Sequence, residues 1–176
     1  MLSNESCLYM GGFKSAVYLD FLKNHHIGLI ICVAKDLDKT FGPKYQRLVE
    51  KRSHELSQIR VITVPWMDTP QQVLDQATFE QTLVSIFQCQ SNVLVHCAQG
   101  KSRSAVICIG FLALIKPTVV IEDLAKEVKS RRNMAEPNYG FMQQLNKLQK
   151  DGFFVRTLEL ALQSKSFHLK SHPAEA

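Results

Sequence analysis

The chain has 176 residues, 45% of them hydrophobic and 21% charged, which suits one globular domain with a buried core. No apolar run approaches the roughly 20 residues a membrane helix needs, and the polar start Met1-Leu2-Ser3-Asn4-Glu5 lacks the basic-then-apolar pattern of a secretory leader. The net charge of +5 narrows the partners little, since scattered Lys and Arg mostly solvate a surface; the expectation is a soluble protein of the cytoplasm, with the nucleus as a second compartment.

Strand-like and helix-like segments alternate, which predicts an α/β domain with a central, mostly parallel sheet flanked by helices. A short strand over 7–10 stops at Gly11-Gly12. A helix follows over 16–24, with Val17, Phe21 and Leu22 on one side. The continuous apolar run 29–33 reads as a strand covered on both faces. Residues 35–58 are polar and contain Gly42-Pro43, predicting a loop region with a helix over 45–56. The strand 60–64 is stopped by Pro65. Segment 75–88 carries Phe79, Leu83, Ile86 and Phe87 at helical spacing, with Asp75 at its N-terminus. The strand 93–95 runs directly into His96-Cys97. Residues 105–115 are apolar almost all round, as in a helix buried at the centre of a domain. Pro117 ends it, helices follow over 121–131 and 139–150, and Asp151-Gly152 breaks the second. The main domain is therefore expected over 1–150, with 151–176 adding a C-terminal helix and a flexible tail.

Five cysteines, Cys7, Cys32, Cys89, Cys97 and Cys108, include no CxxC pair and are odd in number, which argues against a disulfide framework or a zinc site. Four of them sit in apolar stretches, as small hydrophobes do. Cys97 stands instead at the end of a strand, in His96-Cys97-Ala98-Gln99-Gly100-Lys101-Ser102-Arg103-Ser104, with a buried helix starting near Ser102 or Arg103. Residues between Cys97 and Arg103 must curl with their N–H groups inward, making an anion nest at the positive end of a helix. Gly100 permits the backbone conformation this requires. Arg103 offers a planar fork for two oxygens of one phosphate. The same field favours the thiolate, because a Cys at a helix N-terminus beside Arg has its pKa lowered to roughly 3.5–7.5. Ser104 is placed to donate a hydrogen bond to the sulfur. One loop thus binds an oxyanion and activates a nucleophile.

This stretch resembles the dual-specificity branch of the protein tyrosine phosphatases, whose pattern HCxxGxSRS is matched at His96, Cys97, Gly100, Ser102, Arg103 and Ser104. The resemblance runs from about Leu8 to Leu148. Leu8-Tyr9-Met10-Gly11 looks like the opening strand. Arg131-Arg132, Pro137-Asn138-Tyr139-Gly140-Phe141 and Gln144-Leu145 look like the RRPxIxPNxGFxxQL segment, with Asn133 in place of Pro and Ala135 in place of Ile. It implies a protein tyrosine phosphatase-like fold, with 1–150 as the catalytic domain of a small stand-alone member. It also implies hydrolysis of phosphotyrosine and phosphoserine or phosphothreonine through a phosphocysteine. The 98–103 loop would bind phosphate. Cys97 would be the nucleophile, and Ser104 would stabilise the thiolate as it leaves. By its residues alone, Asp68 in Asp68-Thr69-Pro70 is a turn residue; the resemblance makes it the acid that protonates the leaving oxygen and then activates water. His96 is read as orienting the loop. Asn138 is either a helix N-cap or a tie to the phosphate loop, and Trp66 either a core anchor or a neighbour of the site.

No metal or cofactor is expected. The partners implied are phosphorylated proteins and their kinases, with nucleic acid not expected. Lys101 points to an alternative, since extra basic residues in the loop suit a phosphoinositide. A second alternative is a phosphate-binding module without catalysis. A nucleotide-binding GxxxxGK[ST] loop is excluded, because Val95 stands where that pattern needs Gly.

Overall fold

The structure, a computed structural model, describes residues 6–35 and 37–169. Its sheet has four strands, β1 (Leu8–Gly11), β2 (Ile27–Cys32), β3 (Arg60–Thr63) and β4 (Asn92–His96), in the order β1-β4-β2-β3. Every neighbouring pair is parallel. Parallel neighbours need crossovers, and helices supply them. In chain order these are α1 (Leu19–Asn24), α2 (Leu37–Glu55) and α3 (Gln76–Gln88), followed after β4 by α4 (Arg103–Ile115), α5 (Ile121–Arg131), α6 (Tyr139–Lys150) and α7 (Phe153–Leu169).

Alternation along the strands divides the core. Leu29, Ile31, Val93 and Val95 join the large cluster built with α3 to α7. Ile30 and Leu94 turn the other way, against Ala16, Leu22 and Leu56. β4 lies between β1 and β2, so its end is surrounded by protein, and Cys97 follows directly. The residues Ala105, Val106, Ile107, Ile109, Ala113 and Leu114 of α4 are fully buried, as the all-round apolar pattern predicts. Gly110 lets α3 approach, since a Cβ there would overlap the Phe79 ring.

α7 follows the expected catalytic domain in sequence, yet packs into the same core. Its Phe153 stacks on Phe79 with centroids 5.8 Å apart, and Phe154 and Ala161 are buried. The flexible tail expected at the end of 151–176 falls on residues 170–176, outside the described residues.

Three expectations need correction. The 35–58 region is helical over most of its length: α2 starts at Leu37 and is kinked at Gly42, whose φ of 68° breaks the helix before Pro43 restarts it. The helix expected from 16 begins only at Leu19, because Gly12 to Val17 close successive tight turns through Ser15, Ala16 and Val17 N–H groups. Cys7 is exposed rather than packed as a small hydrophobe, since it precedes β1 at the end of the sheet.

Candidate active site

Residues 97–102 connect β4 to α4, and the fate of their carbonyls explains the curl. The Cys97 carbonyl lies 3.3 Å from His96 Nδ1. The Ala98 carbonyl accepts the Phe13 N–H at 3.1 Å. Arg132 donates from Nη2 to the Gln99 carbonyl (3.3 Å) and from Nε to the Gly100 carbonyl (2.7 Å). The Lys101 carbonyl accepts the Glu136 N–H at 2.9 Å. Five consecutive carbonyls are thus engaged around the loop, and the N–H groups are left to face inward. Gly100 makes the turn possible twice over: its φ is 66°, and a Cβ would collide with the Gly11 carbonyl and lie 2.6 Å from the Gly12 nitrogen.

Cys97 Sγ sits inside this ring, 3.4 Å from Ser104 Oγ and 3.3 Å from the Gly100 nitrogen, which donates to it. Burial alone would push the thiol up. Hydrogen bonds from the Ser104 hydroxyl and the Ser104 and Lys101 N–H groups, with the Arg103 charge, outweigh burial and hold it below the ordinary thiol value. In two other cysteines burial wins: it pushes the half-buried Cys32 up to about 11 despite the lowering contacts with Ala34, Arg52 and Arg103, and the buried Cys108 up to about 12. His96, also buried, is pushed down to about 4, so the ring is neutral at physiological pH.

Arg103 opens α4 and turns back over the site. Its Nη1 donates to the Trp66 carbonyl at 3.2 Å, and its Nε lies 3.7 Å from Asp68 Oδ2. That Nε is buried without a hydrogen-bond partner, a donor left for an oxyanion. Asp68 lies against the loop: Oδ1 accepts from Ser102 Oγ at 2.6 Å and from Asn138 Nδ2 at 3.1 Å. Asn138 fills both roles left open by its sequence position. Its Oδ1 caps α6 by accepting the Phe141 N–H at 3.1 Å, while its amide holds Asp68 and its N–H donates to Ser102 Oγ at 3.3 Å. Trp66 is likewise double: its ring is buried between Phe79 and Phe141, and its carbonyl orients Arg103.

The segment carrying Asp68 is fastened to α6. A Cβ on Gly140 would overlap the Pro70 carbonyl, so only glycine lets α6 come this close. Gln144 accepts the Leu74 N–H and donates to the Gln72 carbonyl, each at 2.8 Å. Asp75 caps α3 through the Thr78 N–H at 2.8 Å, the helix-end role its sequence position suggests.

Cys97, Arg103, Asp68, Ser104 and the 98–102 loop therefore meet in one place, with His96 behind and Asn138 beside them. Four contributors were not identifiable as such from the sequence: Arg132, Glu136, Gln144 and the Gly11-Gly12-Phe13 backbone. Arg132 and Gln144 showed only as letters of a resembling segment, with no sign of what they hold. Lys101 does not reach out freely, because its Nζ pairs with Glu136 Oε2 at 2.8 Å. Among the described residues, no helix is long and apolar enough to cross a membrane, and no cluster of His, Cys, Asp and Glu could hold a metal ion.

Comparison with known proteins agrees with this geometry. The family profile described as dual specificity phosphatase, catalytic domain, matches residues 8–151. The chain is 31% identical over 150 residues to dual specificity protein phosphatase 1 of Arabidopsis thaliana, covering 83% of this chain and 67% of that protein. It is 30% identical over 139 residues to dual specificity protein phosphatase 4 of Homo sapiens, covering 78% of this chain but 32% of the relative. The crystal structure of DUSP15 superposes with a TM-score of 0.69 at 26% identity, covering 92% of both chains. That of human DUSP28 does so at 0.64 and 25%, covering 82% of this chain and 88% of the other. The protein thus combines a parallel sheet with a Cys-to-Arg loop at its centre, matched by sequence and fold alike, and it belongs to the dual specificity phosphatase family of protein phosphatases.

Proposed function

We propose that the protein hydrolyses phosphate monoesters on tyrosine and on serine or threonine of phosphoproteins, through a phosphocysteine intermediate. In the first step Cys97 Sγ attacks phosphorus, an S–P bond forms, and the ester O–P bond breaks as Asp68 gives its proton to the leaving oxygen. In the second, Asp68, now a carboxylate, takes a proton from water. The water oxygen attacks phosphorus, the S–P bond breaks, and inorganic phosphate leaves. Arg103 and the inward N–H groups stabilise the transferring phosphoryl group, a task of positioning and electrostatics. The Ser104 hydroxyl, donating to sulfur, stabilises the departing thiolate.

One observation carries this reading. Cys97, its thiol held below the ordinary value by surrounding hydrogen bonds and the Arg103 charge, sits at the centre of a ring of N–H donors, with the orphan Arg103 Nε and the Asp68 carboxyl converging on the same space. The Lys101–Glu136 pair supports a protein over an inositol phosphate, because the loop's added positive charge is already offset.

The test is an assay of the wild type, Cys97→Ser and Asp68→Ala, without added metal, against a phosphotyrosine peptide, a phosphothreonine peptide and a phosphoinositide. Cleavage of both peptides, abolished in Cys97→Ser and strongly slowed in Asp68→Ala, is the expected result. Cleavage of the lipid alone would overturn the substrate class. Binding without turnover by the wild type would overturn catalysis.

A further inference from the structure

Beside the phosphate loop lies a groove that the proposed chemistry does not use. It has a volume of about 660 Å³ and runs between the turns after β1 and the helix α2. Its floor is aromatic: Phe13 stacks on Phe41 with centroids 3.8 Å apart and meets Tyr45 edge-on at 5.6 Å. The kink at Gly42 separates Phe41 from the rest of α2 while both Phe41 and Tyr45 reach the same ring. Leu48 and Tyr18 stand on its walls, 36% and 61% exposed. Such a concentration of apolar surface open to water marks a contact site more often than it marks nothing. Lys14 and Lys44 are the only charged residues that line it, and neither pairs with a carboxylate among the described residues. The groove borders the candidate site, because Phe13 of its floor donates its N–H to the Ala98 carbonyl of the phosphate loop at 3.1 Å.

We infer that this groove receives the substrate's own chain beside the phosphorylated residue. It selects a large apolar side chain flanked by acidic residues, within a few positions of the phosphate. The inference rests on the protein-phosphatase reading and goes further by naming the sequence around the phosphorylated residue. Apolar lining calls for an apolar side chain; two lysines with no carboxylate partner among the described residues call for carboxylates, which also steer the encounter; the bond from Phe13 to Ala98 sets the groove against the phosphate loop, within reach of the chain that carries the phosphate.

The test measures Kd for phosphotyrosine peptides on the full-length Cys97→Ser protein, so that binding is read without turnover. One peptide carries Leu or Phe with flanking Glu, and its counterpart carries Ala and Lys at those positions. The first should bind at least tenfold tighter, and Leu48→Glu or Lys44→Glu, both at exposed positions, should each remove most of that difference. In the protein with Cys97 intact, the same two variants should leave cleavage of p-nitrophenyl phosphate unchanged, because that ester is too small to reach the groove. Equal Kd values for the two peptides, or a preference indifferent to both variants, would overturn the inference. So would a dimer in sedimentation that Leu48→Glu dissolves, since a second copy would then be the occupant. Failure of p-nitrophenyl phosphate cleavage would strike the phosphatase reading instead, leaving the Kd comparison to decide the groove.

Discussion

Arg132 is the residue whose replacement most directly tests how the loop is kept in shape. Its guanidinium binds two adjacent loop carbonyls, Gln99 at 3.3 Å and Gly100 at 2.7 Å, from outside the site and without touching the sulfur. Arg132→Met removes both bonds and keeps most of the stem. A hydrogen bond from a charged donor is worth about 1.5–3 kcal/mol, and water can replace part of it at this half-buried position, so a combined loss of about 2–3 kcal/mol is expected. If that energy holds the N–H groups inward, it appears in the transition state as about a 30- to 150-fold fall in kcat/KM, at 1.36 kcal/mol per decade. The assay is steady-state cleavage of p-nitrophenyl phosphate with inhibition by inorganic phosphate measured in parallel, since both need the same ring of donors. Arg132→Lys, which can reach one carbonyl, should fall between the two. A kcat/KM within threefold of wild type for Arg132→Met, in a folded protein, would refute the idea that these bonds set the loop geometry.

Gly100→Ala should cost more than 100-fold in kcat/KM, because the new Cβ meets the Gly11 backbone at a left-handed φ; activity near wild type would show that the loop can move aside. Ser104→Ala should shift the inflection in the pH dependence of Cys97 alkylation by iodoacetate upward, since a hydrogen bond that favours the thiolate is lost; an unmoved inflection counts against that bond. Asp68→Asn should slow phosphothreonine peptides by about 10²–10⁴-fold but p-nitrophenyl phosphate much less, because nitrophenolate leaves without a proton; equal slowing would deny Asp68 the acid role. His96 is pushed down to about 4, so the unfolded chain binds the extra proton first as pH falls. Its contribution is fully present above pH 6.5 and is lost on the way to about pH 4, a change of about 3 kcal/mol. Urea unfolding between pH 7 and 4.5 should therefore show a pH slope that is smaller in His96→Asn, and identical slopes would refute this.

The core of the site was legible because its chemistry is local in the chain. A strand, a cysteine, a glycine, an arginine and an all-apolar helix follow one another without interruption. Each of them constrains the next through backbone sterics, the helix dipole and burial. The helix ends at Asp75 and Asn138 were readable for the same reason, since a cap acts three residues away. The alternation of strands and helices was enough for a parallel α/β sheet. The kink in α2 was harder to read: Gly42-Pro43 suggested a loop, but helix resumes directly after it.

What only tertiary structure decided is which distant residues complete the loop. Nothing in the letters says that Arg132 holds the Gln99 and Gly100 carbonyls, or that Glu136 takes up Lys101. Nor do they say that Ser102 and Asn138 both hold the Asp68 carboxylate. The same holds for α7, whose Phe153 and Phe154 join the core around Phe79, and for the aromatic groove, which exists only because the β1–α1 turns meet α2. The physical reason is common to all of them. Backbone preference and periodicity act over a few residues, whereas these contacts depend on how the helices pack on the sheet, which fixes distances between groups far apart in the chain.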